Sequence, residues 1–218
     1  MKIEKSDQRV EIKFQLKKSQ LYSLFNELMS SKYNFISHHN ERTVNSIYFD
    51  SHNNKELKQS LEGYYKKKKL RYRFYGIFSS SVNEIEGQWE VKEKTGILTN
   101  KSVHKENILY KEIFKNNISN LRSGNKQINT EIISYPYFSK MITYQREYFI
   151  SQLLGDDFRL TIDKNIISRT LKNGTLKRMN SNDYYIVELK IENHIYENSI
   201  LENFKYLNRV GFSKYVEL

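Results

Sequence analysis

Three times the chain repeats an acidic residue, an apolar residue and a lysine: Glu11-Ile12-Lys13, Glu90-Val91-Lys92 and Glu188-Leu189-Lys190. In an extended strand successive side chains point to opposite faces, so each repeat puts both charges on one face and the apolar residue on the other. Strand patterns of this kind cover RVEIKFQL (9–16), YYKKKKLRYRFY (64–75), GQWEVKEK (87–94), KMITYQREYFI (140–150), DFRLTID (157–163) and YYIVELKI (184–191). TVNSIYFD (43–50) is β-branched and aromatic, and a closing FSKYVEL ends the chain. Such a chain has to make sheet, with the apolar faces as core. Helical spacing is confined to 19–31, a short stretch at 54–61, 105 to about 122 and about 197–208, and these apolar stripes need a sheet to cover. The Asn/Ser/Gly-rich 116–129 reads as loop, and Gly155 and Asn173-Gly174 as turns.

The expected fold is therefore α+β, mainly β, as one domain over residues 1–218. So many strands with one strongly cationic face are best housed if an antiparallel sheet of about eight strands closes into a barrel. The charges would then line a lumen, and helices would pack outside.

Lys and Arg number 36 against 25 Asp and Glu, a formal charge of +11, which favours phosphate-rich partners. The densest cationic signal alternates as Lys67, Lys69, Arg71 and Arg73 on one face, with Leu70, Tyr72 and Phe74 on the other. Like charges about 8 Å apart repel by roughly 0.5–2 kcal/mol per pair, and a bound anion offsets this. Arg suits phosphate because its planar fork makes bidentate bonds, whereas Lys acts as a mobile point charge. Nucleic acid is disfavoured, because base stacking would need aromatics on the cationic face and Tyr72 and Phe74 point away from it.

With no cysteine, disulfides, thiolate metal sites and a cysteine nucleophile are excluded, leaving carboxylate and histidine as ligands. His38 and His39, adjacent on an extended segment, would face opposite ways and not share a metal. Asp50 and Asp163 read as strand-end turn or cap residues, with Asp163 able to orient Arg159. The N-terminal MKIEKSDQRVEIKF lacks the apolar centre of a signal peptide, and no run approaches about 18 apolar residues. A cytoplasmic location follows as the expectation, with peripheral attachment to an anionic membrane face compatible with the charge.

Taken in order, VEIKF, SIYFDS, KKLRYRFYG, WEVKEKTG, KSV, YQREYF, FRLTID, YIVELKI and the C-terminal SKYVE resemble the polyphosphate polymerase domain of the vacuolar transporter chaperone (VTC) family. That family sits among the triphosphate tunnel metalloenzymes, with the CYTH proteins. The resemblance runs from residue 9 to 217 and implies a basic tunnel lined by Lys13, Arg71, Arg73, Lys94 or its same-face neighbour Lys92, Lys101, Arg146, Arg159 and Lys214. Lys69 and Lys190 share the cationic faces. Within this set Arg71, Arg73, Lys13 and Lys214 are assigned to transfer, and Lys69, Lys92, Lys94, Lys101, Arg146, Arg159 and Lys190 to holding phosphates. Glu188 is the implied ligand for Mn²⁺ or Mg²⁺, with Glu11 and Glu90 as supports.

The implied activity is transfer of the γ-phosphate of ATP to a growing polyphosphate chain. The alternatives are a triphosphatase or nucleoside triphosphatase of the same fold, and a non-catalytic polyphosphate-binding module. The CYTH signature opens with two alternating glutamates, whereas Arg9 stands at the first here, which favours the polymerase branch. A membrane-protein partner receiving the product is compatible with the pattern, and the oligomeric state is left open.

Overall fold

The computed structural model describes residues 9–79, 81–96 and 98–192. In chain order these form β1 (Arg9–Leu16), α1 (Leu21–Ser30), β2 (Phe35–Asp50), α2 (Lys55–Leu61), β3 (Lys66–Tyr75), β4 (Glu84–Thr95) and β5 (Leu98–Leu109). There follow α3 (Tyr110–Ile113), α4 (Lys126–Ser134), β6 (Tyr137–Ser151), β7 (Gly155–Lys172), β8 (Thr175–Asn182) and β9 (Tyr185–Glu192). The strands make one antiparallel nine-stranded sheet in the order β1-β9-β7-β6-β2-β3-β4-β5, with β8 paired to β7 off this path.

Strand alternation separates the two faces as expected. Ile12, Phe14 and Leu16 of β1, Val187, Leu189 and Ile191 of β9, and Phe158, Leu160 and Ile162 of β7 are buried beneath Leu24 and Leu28 of α1. A second core joins Leu70, Tyr72 and Phe74 of β3 and Trp89 and Val91 of β4 to Ile113 of α3 and Ile128 and Ile132 of α4. Fully burying such a side chain contributes about 1.5–3 kcal/mol, so these two clusters dominate the hydrophobic stabilisation. Their polar atoms are satisfied. Trp89 Nε1 donates to Glu106 Oε2 at 3.0 Å, and the Tyr72 hydroxyl lies 2.8 Å from the Ile85 carbonyl. Tyr72 packs so closely over Gly87 that a Cβ there would sit 2.6 Å from its Cζ, which is why β4 carries glycine at that position.

The sheet is curled but not closed, which corrects the closed-barrel expectation. Lys92 Nζ on β4 donates to Glu11 Oε2 on β1 at 2.8 Å. In a flat sheet with this strand order the two strands would lie roughly 29 Å apart, so the sheet bends until its ends face each other. Yet among the described residues no ladder joins β1 to β5. Its ninth strand adds no further wall: β8 lies on the same side of β7 as β9, pairing Ile166–Lys172 where β9 pairs Phe158–Asp163. The expected helix at 197–208 and the closing FSKYVEL, with Lys214, lie outside the described residues.

Three further differences have local causes. The span 105–122, expected to be helical, is the end of β5, the short α3 and a loop, because Ile108 belongs to a strand paired with β4. Part of the expected loop 116–129 is the start of α4, capped by Asn125, whose side chain accepts from Ile128 N at 3.1 Å. The Asn173-Gly174 turn is present, with φ of 50° and 72°, and its returning strand β8 was not expected.

Candidate active site

The inner, concave face collects the charged side of every strand on the path. Register places Arg71 opposite Glu90, Lys69 opposite Lys92 and Lys67 opposite Lys94 across β3 and β4, with Lys101 of β5 opposite Lys92. On the other wall Lys13 lies opposite Glu188, Lys190 opposite Arg159, Glu188 opposite Thr161, and Asp163 opposite Arg146. Each described basic residue assigned from sequence is thus on this face. Between the walls β2 and β6 contribute Ser46, Tyr48, Lys140 and Tyr144. Leu57 of α2 packs against an apolar group that includes Tyr48 and Tyr144, so this helix closes over the inner side rather than the outside. Asp50 holds its start, accepting from Glu56 N and Leu57 N at 3.0 Å each, as a cap residue should.

Two buried ion clusters organise the face. In the first, Glu90 is 1% exposed and accepts from Arg71 Nε at 2.7 Å, Arg71 Nη2 and Gln88 Nε2 at 2.6 Å. Lys101 Nζ lies 3.0 Å and Arg73 Nη1 3.6 Å from its Oε1. Burial alone would raise its pKa, but Arg71, Arg73 and Lys101 outweigh this and hold the carboxyl well below the usual range. In the second, Arg146 donates to Asp163 through Nε at 2.5 Å and Nη2 at 2.8 Å, and lies 3.8 Å from Glu188. Asp163 is therefore not a turn residue; it lies within β7 and orients Arg146.

Tyrosines link the clusters. Arg71 Nη1 donates to Tyr48 Oη at 3.1 Å, Arg73 Nη2 donates to Tyr144 Oη at 3.3 Å, and Arg146 stacks over the Tyr144 ring at 5.1 Å. Burial opposes ionisation of Tyr48, yet Arg71, Arg73 and Lys69 bring its pKa down to about 8. Neither tyrosine was singled out from the sequence. The signal was present, since Ser46, Tyr48 and Asp50 share a parity opposite to the core residues Ile47 and Phe49.

Lysines on the face show the cost of crowding cations. Burial, together with Lys13, Lys92 and Lys67, brings Lys69 down to about 8 despite the help of Tyr48. Burial, with Arg71 and Arg73, does the same for Lys101, also to about 8, against the pull of Glu90. Lys94 and Lys140 are lowered chiefly by burial. Lys190 is lowered as well: Glu188 favours its charge, but burial and Arg146 prevail. Beside it, Arg159 Nε and Thr161 Oγ1 are buried with no hydrogen-bond partner, a place that asks for a polar ligand.

The carboxylates differ in their surroundings. Glu90 is saturated by donors, and Glu11 is paired to Lys92, whereas Glu188 lies 3.8 Å from Arg146 and 3.9 Å from Lys190. Among the described residues no three His, Asp or Glu gather into a metal-binding group. Among these residues an all-protein cage does not fit. Glu188, next to the unpartnered Thr161 hydroxyl, fits a hard cation whose remaining ligands are phosphate oxygens. The rings of His38 and His39 lie 4.0 Å apart, tilted at 48°, on an exposed part of β2 where register shifts interrupt the ladder to β6, so they do not face opposite ways as regular strand alternation would require.

The family model of the VTC domain matches residues 8–217. The chain belongs to the VTC domain family. Membership covers nearly its whole length and supports a polyphosphate- or triphosphate-related function. No curated protein sequence matches the domain. Among solved structures it is similar to a candidate adenylate cyclase from Vibrio parahaemolyticus, at 12% identity and a TM-score of 0.47 over 94% of both chains. The PH1819 protein of Pyrococcus horikoshii OT3 shares 10% identity, with a TM-score of 0.43 over 92% of each. At that distance neither carries a functional argument. No helix among the described residues of this VTC domain is long and apolar enough to cross a membrane.

Proposed function

We propose that this VTC domain is a metal-dependent polyphosphate polymerase that uses ATP. The observation that carries the reading is the convergence of Arg71, Arg73, Lys101, Lys69, Lys92, Arg146, Arg159 and Lys190 on one concave face that is largely withdrawn from water. A terminal oxygen of the phosphate chain attacks the γ-phosphorus of ATP, a new P–O bond forms, the bond to the β-phosphate oxygen breaks, and ADP leaves. No proton moves, so the reaction needs alignment and charge neutralisation rather than a protein nucleophile. Arg71 and Arg73 are placed to bind the transferring group, each anchored by a second contact, Tyr48 or Ser46, that limits its freedom. Arg159 and Lys190 offer donors for the chain on the opposite wall. Mn²⁺ or Mg²⁺ held by Glu188 together with phosphate oxygens would neutralise charge on the triphosphate.

The test is incubation with ATP and Mn²⁺ followed by a gel stained for polyphosphate. A ladder of long chains with ADP is the expected result. Free phosphate without polymer would make the same face a triphosphatase. No consumption of ATP, together with binding of preformed polyphosphate, would make it a binding module.

A further inference from the structure

We infer that Glu90 is a built-in counter-anion, which holds Arg71, Arg73 and Lys101 in place of phosphate and yields them to the chain by exchange. The inference rests on the polyanion reading of the face and adds a positioning residue to it. Its basis is the donor count around one carboxylate. Oε2 takes the Arg71 fork through Nε and Nη2, while Oε1 has Gln88 at 2.6 Å, Lys101 at 3.0 Å and Arg73 at 3.6 Å. A carboxylate so surrounded has no open direction for a metal, and it presents to three cations the same planar pair of oxygens that a phosphate would offer.

The arrangement also explains how a phosphate chain could bind tightly and still move on. An arginine pair with no internal anion would be costly to keep empty and slow to release its ligand. With Glu90 in reach, each guanidinium passes from carboxylate to phosphate and back without becoming an unpaired buried charge. Both arginines have an anchor independent of Glu90. Arg71 donates to Tyr48 Oη, and Arg73 donates to Ser46 Oγ at 3.2 Å and to Tyr144 Oη. Their positions therefore survive neutralisation of the carboxylate.

The experiment titrates inorganic tripolyphosphate into metal-free wild type and Glu90→Gln by calorimetry, and then measures steady-state kinetics at several Mn²⁺ concentrations. Glu90→Gln should bind tripolyphosphate at least tenfold more tightly than wild type. Its KM and kcat for ATP should both fall, and the Mn²⁺ concentration giving half-maximal rate should not change. Equal or weaker tripolyphosphate binding by Glu90→Gln, with wild type binding normally, would overturn the counter-anion and leave the polyanion face standing. A shift in Mn²⁺ requirement would likewise overturn it, by making Glu90 a metal ligand. Failure of wild type to bind tripolyphosphate would remove both. Should Glu90→Gln not fold, Glu90→Asp draws the carboxylate back by one methylene and keeps its charge. The same tightening, smaller in size, is then required, and its absence overturns the inference.

Discussion

Asp163→Asn tests whether the concave face is held open by paired charges. Asp163 is fully buried and takes Arg146 on both oxygens, at 2.5 and 2.8 Å. Asparagine keeps the volume but loses the charge and one of the two acceptors. Breaking a buried pair from one side costs about 3–5 kcal/mol, because the remaining charge is left without its partner. Here Arg146 keeps Glu188 at 3.8 Å and the Tyr144 ring at 5.1 Å, so the lower end, about 3 kcal/mol, is expected. In a domain of this size each kcal/mol moves Tm by about 2–4 °C, which gives a fall of roughly 6–12 °C. The released guanidinium also adds a positive charge to the inner face. Tripolyphosphate should consequently stabilise the variant more than it stabilises wild type at the same concentration. Scanning calorimetry of both proteins, with and without tripolyphosphate, reads both effects. A loss below about 2 °C, or a ligand-induced shift no larger than that of wild type, would refute the reasoning.

Apo stability should rise between about pH 8 and pH 10. Lys69, Lys101 and Tyr48 all titrate near 8 in the folded chain, while their unfolded values lie near 10, so across this window the unfolded chain binds more protons and stability increases with pH. Tripolyphosphate affinity should fall over the same window as those lysines lose charge, and melting curves at each pH with and without ligand check both slopes. Glu188→Gln, which keeps the shape and removes the anionic ligand, should remove most turnover at every Mn²⁺ concentration with little loss of Tm; full activity would assign the metal elsewhere. Arg71→Ala and Arg73→Ala should each cost on the order of a hundredfold or more in turnover. Arg71→Ala should also lower apo stability, because it takes the bidentate partner from buried Glu90, whereas Lys69→Met should leave apo stability unchanged or raised; the opposite order of the two melting shifts would be inconsistent with these ion clusters.

Much of the sheet was legible because a strand announces itself locally. In RVEIKFQL the core set Ile12, Phe14 and Leu16 and the charged set Glu11 and Lys13 alternate with period two, and no distant residue can change that parity. What failed were segments whose pattern crosses a boundary or lacks one. Ile108, Leu109, Ile113 and Phe114 straddle the junction of β5 and α3, and together they mimic helical spacing that neither element possesses. TLKRMNSN has no apolar alternation. It becomes β8 because the Asn173-Gly174 turn returns it along β7, a tertiary cause invisible within eight residues. Closure failed for a similar reason, since alternation shows that a face exists and not that its two edges meet.

The same distinction governs the site. Glu11, Glu90 and Glu188 stand in one local pattern, and parity alone puts all three on the inner face. Their partners are set by register and curl: Glu11 meets Lys92 across the bend, Glu90 meets Arg71 on the next strand, and Glu188 lies near Arg146 two strands away. The three carboxylates therefore sit in different surroundings despite the same three-residue motif, Glu90 ringed by Arg71, Arg73, Lys101 and Gln88 and Glu11 paired with a single lysine. Register is also where the arrangement is most fragile. A one-residue insertion between Gly87 and Glu90 would reverse parity in the rest of β4, turning Glu90 into the core and Val91 toward the arginines. That places a buried charge without donors on one face and unpaired guanidiniums on the other, so the insertion would abolish the fold and the site together.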